Sequence, residues 1–462
     1  MNGIACKALG IALAAFAAAT LAIAPMQARP ITHDEGVLPA GTELNDDQLD
    51  QPTELFYSER NGGKRSYESV LGDMLFATPG IFGGMARKAE LSCSTCHQQG
   101  HNNPKLFIPG LSARPGTFST ANGMFSPHSG GTSAPVTPPS LRGAVHLAPY
   151  AHDGRFATLR DFIHNAVVNE FGGSEPSAQV VDAIEAYIKD ISFLPNDKLG
   201  ADGKLTGKNS DAARRGEAIF RRPFRNDASM SCASCHQPGD FFVDHALHDV
   251  GSGGHFKTPT LINSKFSAPY FHDGRFTSFR QVVDYFDHHY DLGLAEQDRD
   301  DLVAYLDAVG DADEPTTRNT VQAELDEIAV FAGVFDKAIP QHNREIIGLA
   351  VETIGHEWRE VGENFPPAKD PTVKGGLKER LRARDAVFNV VLTLRRIAMA
   401  TEAGKFDEAT RLYTGYRQDA AAAGRALKDA ETYSLFNPKV REEHFRALDR
   451  LVDMADGSST KR

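Results

Sequence analysis

Cysteine is scarce in this sequence, with five residues in 462. One of them, Cys6, lies in an N-terminal segment with the pattern of a secretory signal peptide: Lys7, an apolar run over 11–23, and small residues before Arg29. Cleavage after residue 28 would leave four cysteines, all within two short motifs. No cysteine then remains for a disulfide bond, which excludes the class of exported domains that disulfides stabilise.

Long apolar runs and excess positive charge are also lacking. The run over 11–23 is shorter than the roughly 20 residues that a membrane-spanning helix needs, so we predict no membrane span in the mature chain, with an uncleaved anchor as the alternative. The sequence carries 49 basic and 61 acidic residues, a formal charge of −12. This charge makes nucleic acid an unfavourable partner and favours a protein partner with a basic surface.

The four remaining cysteines form two Cys-x-x-Cys-His motifs, which we call the first motif (93–97) and the second motif (232–236). This spacing is typical of covalent haem c attachment, because two cysteines one helical turn apart reach the vinyl groups of one porphyrin and the histidine binds its iron. A zinc site or a redox dithiol is the alternative, but zinc needs two further ligands. The sequence predicts two bound haem c groups, one held by Cys93, Cys96 and His97 and the other by Cys232, Cys235 and His236.

A nearly identical segment follows each motif. The first repeat segment (148–156) reads Ala-Pro-Tyr-Ala-His-Asp-Gly-Arg-Phe, and the second (268–276) reads Ala-Pro-Tyr-Phe-His-Asp-Gly-Arg-Phe. A Thr-Pro turn precedes each copy, at 137–142 and 258–263. The first copy lies farther from its motif, and the extra residues fall in a stretch rich in glycine, serine and proline, 109–139, which predicts a long loop. The repeat predicts two related domains.

Composition divides the chain after the predicted signal peptide, residues 1–28, into three regions. A glycine-rich linker near 197–210 separates a first haem domain over 29–200 from a second over 208–312. The third region, 315–462, contains no cysteine and shows apolar residues at three- and four-residue spacing with charges between them. This pattern predicts a bundle of amphipathic helices.

The two motifs, the Thr-Pro turns and the repeat segments together resemble the bacterial di-haem cytochrome c peroxidase and MauG family over roughly 71–309. The resemblance implies a mainly α fold with two cytochrome-c-like haem domains, joined here to the C-terminal helical bundle region. It implies proximal iron ligation by His97 and His236, a peroxidatic haem in the first domain and an electron-transferring haem in the second. Hydrogen peroxide would be the oxidant, and a small cytochrome, a cupredoxin or another redox substrate would supply electrons. With the signal peptide, it predicts a periplasmic protein.

The family also has a distal glutamate beyond the first Asp-Gly-Arg, and Glu170 is the best match when a two-residue gap is allowed. A carboxyl group partly buried above a haem can move a proton between the two oxygens of peroxide. The alternative is that Glu170 forms an ion pair or a cap at a helix end. Arg142, Arg155 and Arg275 are candidates for binding the haem propionates, because a guanidinium group matches a carboxylate.

Two positions depart from the family pattern. His152 stands where the peroxidases have a tryptophan thought to lie between the haems. Phe286 stands where the second domain has an iron-binding methionine or tyrosine, and phenylalanine cannot bind iron. The candidate distal ligands of the second haem are therefore Tyr285, His288 and His289, and a five-coordinate iron is the remaining alternative.

Family members also carry a calcium ion between the domains, bound by backbone carbonyls that correspond to Ser267 and Pro269. Calcium is therefore a second expected cofactor. Two classes of function stay open: a peroxide-using oxidoreductase, and a non-catalytic periplasmic electron carrier with the helical region as a docking module. The enzyme needs an open iron position, whereas a carrier keeps both positions filled.

Overall fold

The chain is mainly α-helical, in a computed structural model that describes residues 37–45, 48–121, 134–311, 315–367 and 372–455. The predicted signal peptide and the middle of the predicted loop 109–139 lie outside the described residues. Among the described residues, helices predominate and each strand is three residues long. Two cytochrome-c-like units and a helical C-terminal region follow one another, which confirms the predicted fold class. No helix in the described ranges has the length and apolar character that crossing a membrane requires.

The first unit surrounds the first motif. A π-helical turn over Ala166–Glu170 extends its fifth helix. A short strand near its N-terminus, β1 (Asp50–Pro52), pairs with a strand at the start of the third region. Its helices are α1 (Tyr57–Arg60), α2 (Tyr67–Ala77), α3 (Gly84–Lys88), α4 (Cys93–Cys96), α5 (Leu159–Asn165) and α6 (Ala178–Asp190).

The second unit repeats this plan with fewer insertions around the second motif. An antiparallel hairpin, in which Leu247 lies opposite Lys257, follows the motif. Its elements are α7 (Asp211–Phe220), α8 (Cys232–Cys235), β2 (Leu247–Asp249), β3 (His255–Lys257), α9 (Phe279–His289) and α10 (Glu296–Gly310).

Hydroxyl side chains begin the matching helices of both units. Ser66 accepts a hydrogen bond from a backbone N–H in the first turn of α2, and Ser210 does the same for α7. Thr158 and Ser278 cap α5 and α9 in the same way. Such caps satisfy N–H groups that the first helical turn leaves without partners, so corresponding sequence positions begin corresponding helices.

One close helix crossing forms the centre of each unit. A Cβ atom on Gly72 of α2 would lie 1.9 Å from the carbonyl oxygen of Ala183 in α6. A Cβ atom on Gly216 of α7 would lie 1.9 Å from the carbonyl oxygen of Asp301 in α10. Real Cβ contacts are never this short, so both crossings require glycine.

An aromatic pair lies next to each crossing. Phe76 and Tyr187 have ring centroids 5.0 Å apart in the first unit, and Phe220 and Tyr305 have centroids 4.9 Å apart in the second. Phe76 and Phe220 each follow the crossing glycine by one helical turn. The two units therefore share a packing arrangement and not only a motif.

We expect Gly216→Ala to destabilise the second unit by about 1–3 kcal/mol, because the added methyl group must push α7 away from α10. Gly348→Ala is the matched control, since Gly348 is exposed and a Cβ there meets no atom within 4 Å. In that control, helix propensity alone should raise stability by up to about 1 kcal/mol. Denaturant unfolding of the holoproteins measures both changes, and equal midpoints for the two variants would contradict the close crossing.

The third region is a helical bundle with its own core. Trp358 is 1 % exposed, and its Nε1 donates a hydrogen bond to the Tyr416 hydroxyl at 3.1 Å. Strand β4 (Thr316–Arg318) opens the region and pairs with β1. The helices are α11 (Val321–Ala332), α12 (Phe335–Ala338), α13 (Arg344–Glu363), α14 (Leu377–Glu402), α15 (Phe406–Ala430) and α16 (Pro438–Ala455).

Helices α11 and α13 pack against α2 of the first unit. Asp73 of α2, Glu324 of α11 and Glu357 of α13 bring carboxyl groups to this contact. Burial raises the pKa of all three, that of Glu324 to about 7, and neighbouring carboxylates add to the rise for Glu324 and Glu357. The contact between bundle and haem unit therefore includes acids that hold their protons more tightly than exposed carboxyls do.

Candidate functional site

Both motifs form the same one-turn helix. At the start of α4, Ser92 and Thr95 exchange hydrogen bonds between side chain and backbone, and Ser231 and Ser234 do so at the start of α8. The two cysteines of each motif are the first and last residues of that helix, and the histidine follows directly. This places three anchors for one haem on a single turn.

Each motif histidine has one ring nitrogen held by a backbone carbonyl. His97 Nδ1 lies 2.9 Å from the Pro139 oxygen, and His236 Nδ1 lies 3.3 Å from the Phe242 oxygen. When Nδ1 donates, Nε2 is left as the lone-pair nitrogen that can bind iron. Burial lowers the pKa of both rings, that of His97 to about 4, so both are neutral at pH 7. Neutral imidazole is the form that metal binding requires.

The surroundings of the histidines match between the units. Phe76 lies with its ring centroid 6.3 Å from that of His97, and Phe220 lies 6.4 Å from His236. A cavity of about 280 Å³ opens beside Cys232. The residues present fit haem c: thiols one turn apart, an oriented neutral imidazole and apolar walls. The cavity wall includes Ile219, Phe224, Leu292, Leu294 and Leu302.

Glu170 ends the π-helical turn that extends α5 and is 6 % exposed. Its Oε1 accepts hydrogen bonds from Arg155 Nη2 at 3.0 Å and from Asn165 Nδ2 at 2.9 Å. Burial raises the pKa of this carboxyl, and Arg155 opposes the rise. Burial raises the pKa of the Cys96 thiol, and the charge of Glu170, close to the first motif, adds to the rise. The structure thus brings Glu170, Arg155 and the first motif together.

Tyr290 takes the corresponding position in the second unit. Glu170 follows Asp153 of the first repeat segment by 17 residues, and Tyr290 follows Asp273 of the second by the same number. Burial raises the pKa of Tyr290, and the two cysteines of the second motif are among the groups that add to the rise. Its ring packs 5.1 Å from that of Phe224. One unit therefore presents a carboxyl group beside its motif and the other an aromatic ring.

The three predicted propionate-binding arginines all have protein partners. Arg155 pairs with the carboxyl group just described, and Arg275 Nη2 lies 2.7 Å from Asp273 Oδ2. Arg142 is 2 % exposed and donates through Nη2 to the Thr53 oxygen at 3.2 Å. Their contact with haem propionates stays a prediction.

The candidate distal ligands of the second haem lie in different surroundings. The hydroxyl of Tyr285, which is half-buried, donates to the Val250 carbonyl at 2.6 Å. Its ring stacks on that of His289 with 5.8 Å between centroids. His288 and His289 are exposed at the end of α9. Tyr285 also raises the pKa of Tyr290, so these two tyrosines lie together near the second motif.

The repeat segments lie at the interface between the two units. The Thr137 N–H donates to the His272 carbonyl and the Lys257 N–H donates to the His152 carbonyl, each at 2.8 Å. The ring of His152 is held by a 2.7 Å contact between its Nε2 and the Thr137 oxygen. Burial lowers the pKa of His152 to about 4. The residue that stands in the place of the family's tryptophan is thus a neutral side chain within this interface.

An ammonium group binds the carbonyls of the first repeat. Lys257 Nζ donates to the carbonyl oxygens of Leu147 at 2.8 Å and Pro149 at 2.9 Å. These two residues lie 120 positions before Ser267 and Pro269, the predicted backbone ligands of calcium. The first copy of this loop therefore already binds a positive charge through the equivalent oxygens.

Asn102 approaches the second copy from the first unit. It is 4 % exposed, and its Nδ2 donates to the Ala268 carbonyl at 3.0 Å. Its Oδ1 is buried and has no hydrogen-bond partner among the described residues. Asn102 thus contacts the carbonyl of the residue between Ser267 and Pro269, and its buried amide oxygen is a ligand type that a hard cation such as calcium prefers.

Sequence reasoning missed Asn102, Lys257 and Tyr290. For Tyr290 and Lys257 the sequence does contain a signal, the 120-residue offset between the two repeats. This offset pairs Tyr290 with Glu170. It also pairs Leu147 and Pro149, whose carbonyls Lys257 binds, with Ser267 and Pro269, the predicted calcium ligands. Asn102 has no such signal, because it meets the second repeat only through a backbone oxygen 166 residues away.

Comparisons with known proteins agree with the motifs. Residues 213–356 match the family described as di-haem cytochrome c peroxidase. Methylamine utilization protein MauG of Methylorubrum extorquens is 26% identical over 309 residues, which cover 52% of this chain and 77% of MauG. Cytochrome-c peroxidase IdrP1 of Pseudomonas sp. is 37% identical over 82 residues, 15% of this chain and 21% of IdrP1.

Hydrazine synthase subunit gamma of Kuenenia stuttgartiensis is also similar, at 26% identity over 232 residues, 37% of this chain and 63% of that subunit. The chain thus spans less than two thirds of the length of this subunit and of IdrP1. Among solved structures, a hydrazine synthase chain of the same organism has a TM-score of 0.40 at 20% identity and covers 65% of this chain and 99% of its own. A MauG-like protein associated with microbial copper homeostasis has a TM-score of 0.37 at 19% identity, with coverages of 54% and 91%.

Proposed function

Because this chain belongs to the di-haem cytochrome c peroxidase and MauG family, we propose that it is an exported periplasmic oxidoreductase that uses hydrogen peroxide. Peroxide would react in the first unit, and electrons would enter through the second. When bound, the haems supply iron that can react with peroxide and carry electrons. A small cytochrome, a cupredoxin or another redox substrate would donate these electrons, and a basic surface on the donor would suit the acidic chain.

The contrast between Glu170 and Tyr290 carries this assignment. The two residues occupy equivalent positions beside the first and second motifs. Reduction of peroxide to water consumes two electrons and two protons, so the reacting unit needs a group that moves protons. A carboxyl can do so near neutral pH when burial raises its pKa, whereas a tyrosine whose pKa is raised further above 10 holds its proton.

Arg155 and Asn165 would position the Glu170 carboxyl. Both donate to Oε1, and the Thr120 side chain also forms a hydrogen bond with this carboxyl group. The charge of Arg155 limits the rise in the pKa of Glu170, so the group can both accept and return a proton. In this proposal Glu170 takes a proton from one peroxide oxygen and delivers it to the other, which leaves as water.

We expect Glu170→Gln to lower the rate of peroxide reduction by about 100-fold or more, because the amide cannot carry the proton. Haem content should not change, since the cysteines and histidines of both motifs are untouched. Stopped-flow absorbance of the holoprotein with peroxide and a reduced small cytochrome measures the rate.

The control variant is Glu175→Gln. Glu175 lies five residues later, is exposed and pairs with His164 at 2.9 Å. Its replacement should leave the rate within about twofold of wild type, since a surface ion pair contributes little. A wild-type rate in Glu170→Gln would refute a catalytic role, and a holoprotein inert to peroxide would favour the electron carrier.

We also propose that the second repeat binds calcium through the carbonyls of Ser267 and Pro269 and Oδ1 of Asn102. Lys257 supports this, because it shows that the same loop in the first unit directs two carbonyl oxygens at a positive charge.

For the second haem we favour Tyr285 as the distal group over His288 and His289. Its support is the half-buried position beside Tyr290.

We expect one calcium ion per chain in the purified protein, removable by a chelator. Asn102→Ala should weaken calcium binding at least about tenfold, because it deletes one oxygen ligand. Calorimetric titration of the decalcified holoprotein measures the affinity. Asn226→Ala, at an exposed asparagine, should bind as wild type does. Equal affinities in both variants, or no calcium at all, would rule this site out.

A further inference from the structure

Helix α14 has apolar residues on two opposite faces. One face is buried against α13 and α15 and includes Ala383, Val387, Val390, Leu394 and Ile397. The opposite face leaves large apolar side chains uncovered: Leu381 is 40 % exposed, Phe388 60 % and Met399 68 %. A helix at the surface of a bundle normally has one apolar face, so the second indicates a contact that the described part of the chain does not make.

The uncovered face follows a seven-residue pattern. Its residues recur at alternating steps of three and four, the spacing by which one helix packs along another. The set covers 24 residue steps, or about 36 Å at 1.5 Å per residue. In order, the face consists of Lys378, Leu381, Asp385, Phe388, Leu392, Arg395, Met399 and Glu402, of which Leu392 is half-buried and the others are exposed.

The charged members of this face have no partner within the chain as far as it is described. Lys378, Asp385, Arg395 and Glu402 are all exposed, and none forms an ion pair with another described residue. Elsewhere on the surface, arginines such as Arg280 contact several carboxylates. The charges on this face are therefore available to another molecule.

The face is complementary to itself when two copies run antiparallel about a two-fold axis near residue 390. Leu381 then lies opposite Met399, and Phe388 lies opposite Leu392. The charges also match. Lys378 meets Glu402, and Asp385 meets Arg395. All four pairs are symmetric about the same point in the sequence, which fits a second copy of this chain better than an unrelated partner.

We propose that the uncovered face of α14, residues 378–402, joins two copies of this chain as an antiparallel helix pair. The two-fold axis makes every contact twice, so the pair buries Phe388, Leu392, Leu381 and Met399 from both copies. Two pairs of opposite charges at each end set the register, because a slip along the helix would place like charges together. The bundle contacts α2 of the first unit through two other helices, α11 and α13.

The mass of the holoprotein in solution tests the proposal. Sedimentation equilibrium should give twice the chain mass, and Phe388→Glu should give the monomer mass, because it places two charges in the apolar centre. Val330→Glu is the matched control. Val330 is 45 % exposed on α11, outside the proposed face, so the dimer should persist.

Charge exchange tests the register. Asp385→Arg alone should weaken dimerisation at least about tenfold, because it places a positive charge opposite Arg395 twice per dimer. Asp385→Arg combined with Arg395→Asp should restore the wild-type dissociation constant to within about threefold, since opposite charges again face each other. Haem absorbance confirms that each variant is folded.

Three results would overturn the proposal. The first is a wild-type protein that is monomeric at every concentration tested. The second is a dimer that survives Phe388→Glu. The third is a double charge exchange that behaves no better than Asp385→Arg alone, which would show that these two residues do not face each other.

Discussion

Both haem units depend on one constraint: two helices cross so closely that only glycine fits at the contact. Gly72 and Gly216 let α2 and α7 approach the backbones of α6 and α10 more closely than any side chain would permit. The same helices carry Phe76 and Phe220, which lie next to the histidines of the two motifs. A larger residue at the crossing would move the aromatic ring and with it the wall of the haem pocket.

Because the scaffold is repeated, the differences between the copies are the basis of the functions proposed for the two units. Glu170 of the first unit corresponds to Tyr290 of the second. Likewise, Leu147 and Pro149 correspond to Ser267 and Pro269. In the first pair a carboxyl group is exchanged for an aromatic ring. In the second, carbonyls that bind a lysine correspond to the carbonyls proposed to bind calcium. The two units meet at the first repeat segment, where the Lys257 N–H donates to the His152 carbonyl.

Haem c attachment could be predicted from the sequence, because one unbroken motif contains both thiols and the proximal histidine; the distal groups lie outside the motif and could not be chosen in the same way. The repeat segments likewise predicted two related units. Asn102 could not be predicted, since its partner is a backbone carbonyl and leaves no pattern of side chains. The spacing of apolar residues in the sequence indicates both apolar faces of α14, but only the fold shows which face the bundle covers.

In the proposed function the two units on one scaffold are unequal, and the first alone reacts with peroxide. The most direct test is electron paramagnetic resonance of the holoprotein, fully oxidised and half-reduced, before and after one equivalent of hydrogen peroxide. Peroxide should change the signal of one haem, and Glu170→Gln should slow this change. Two low-spin haem signals that stay unchanged at every level of reduction would contradict it.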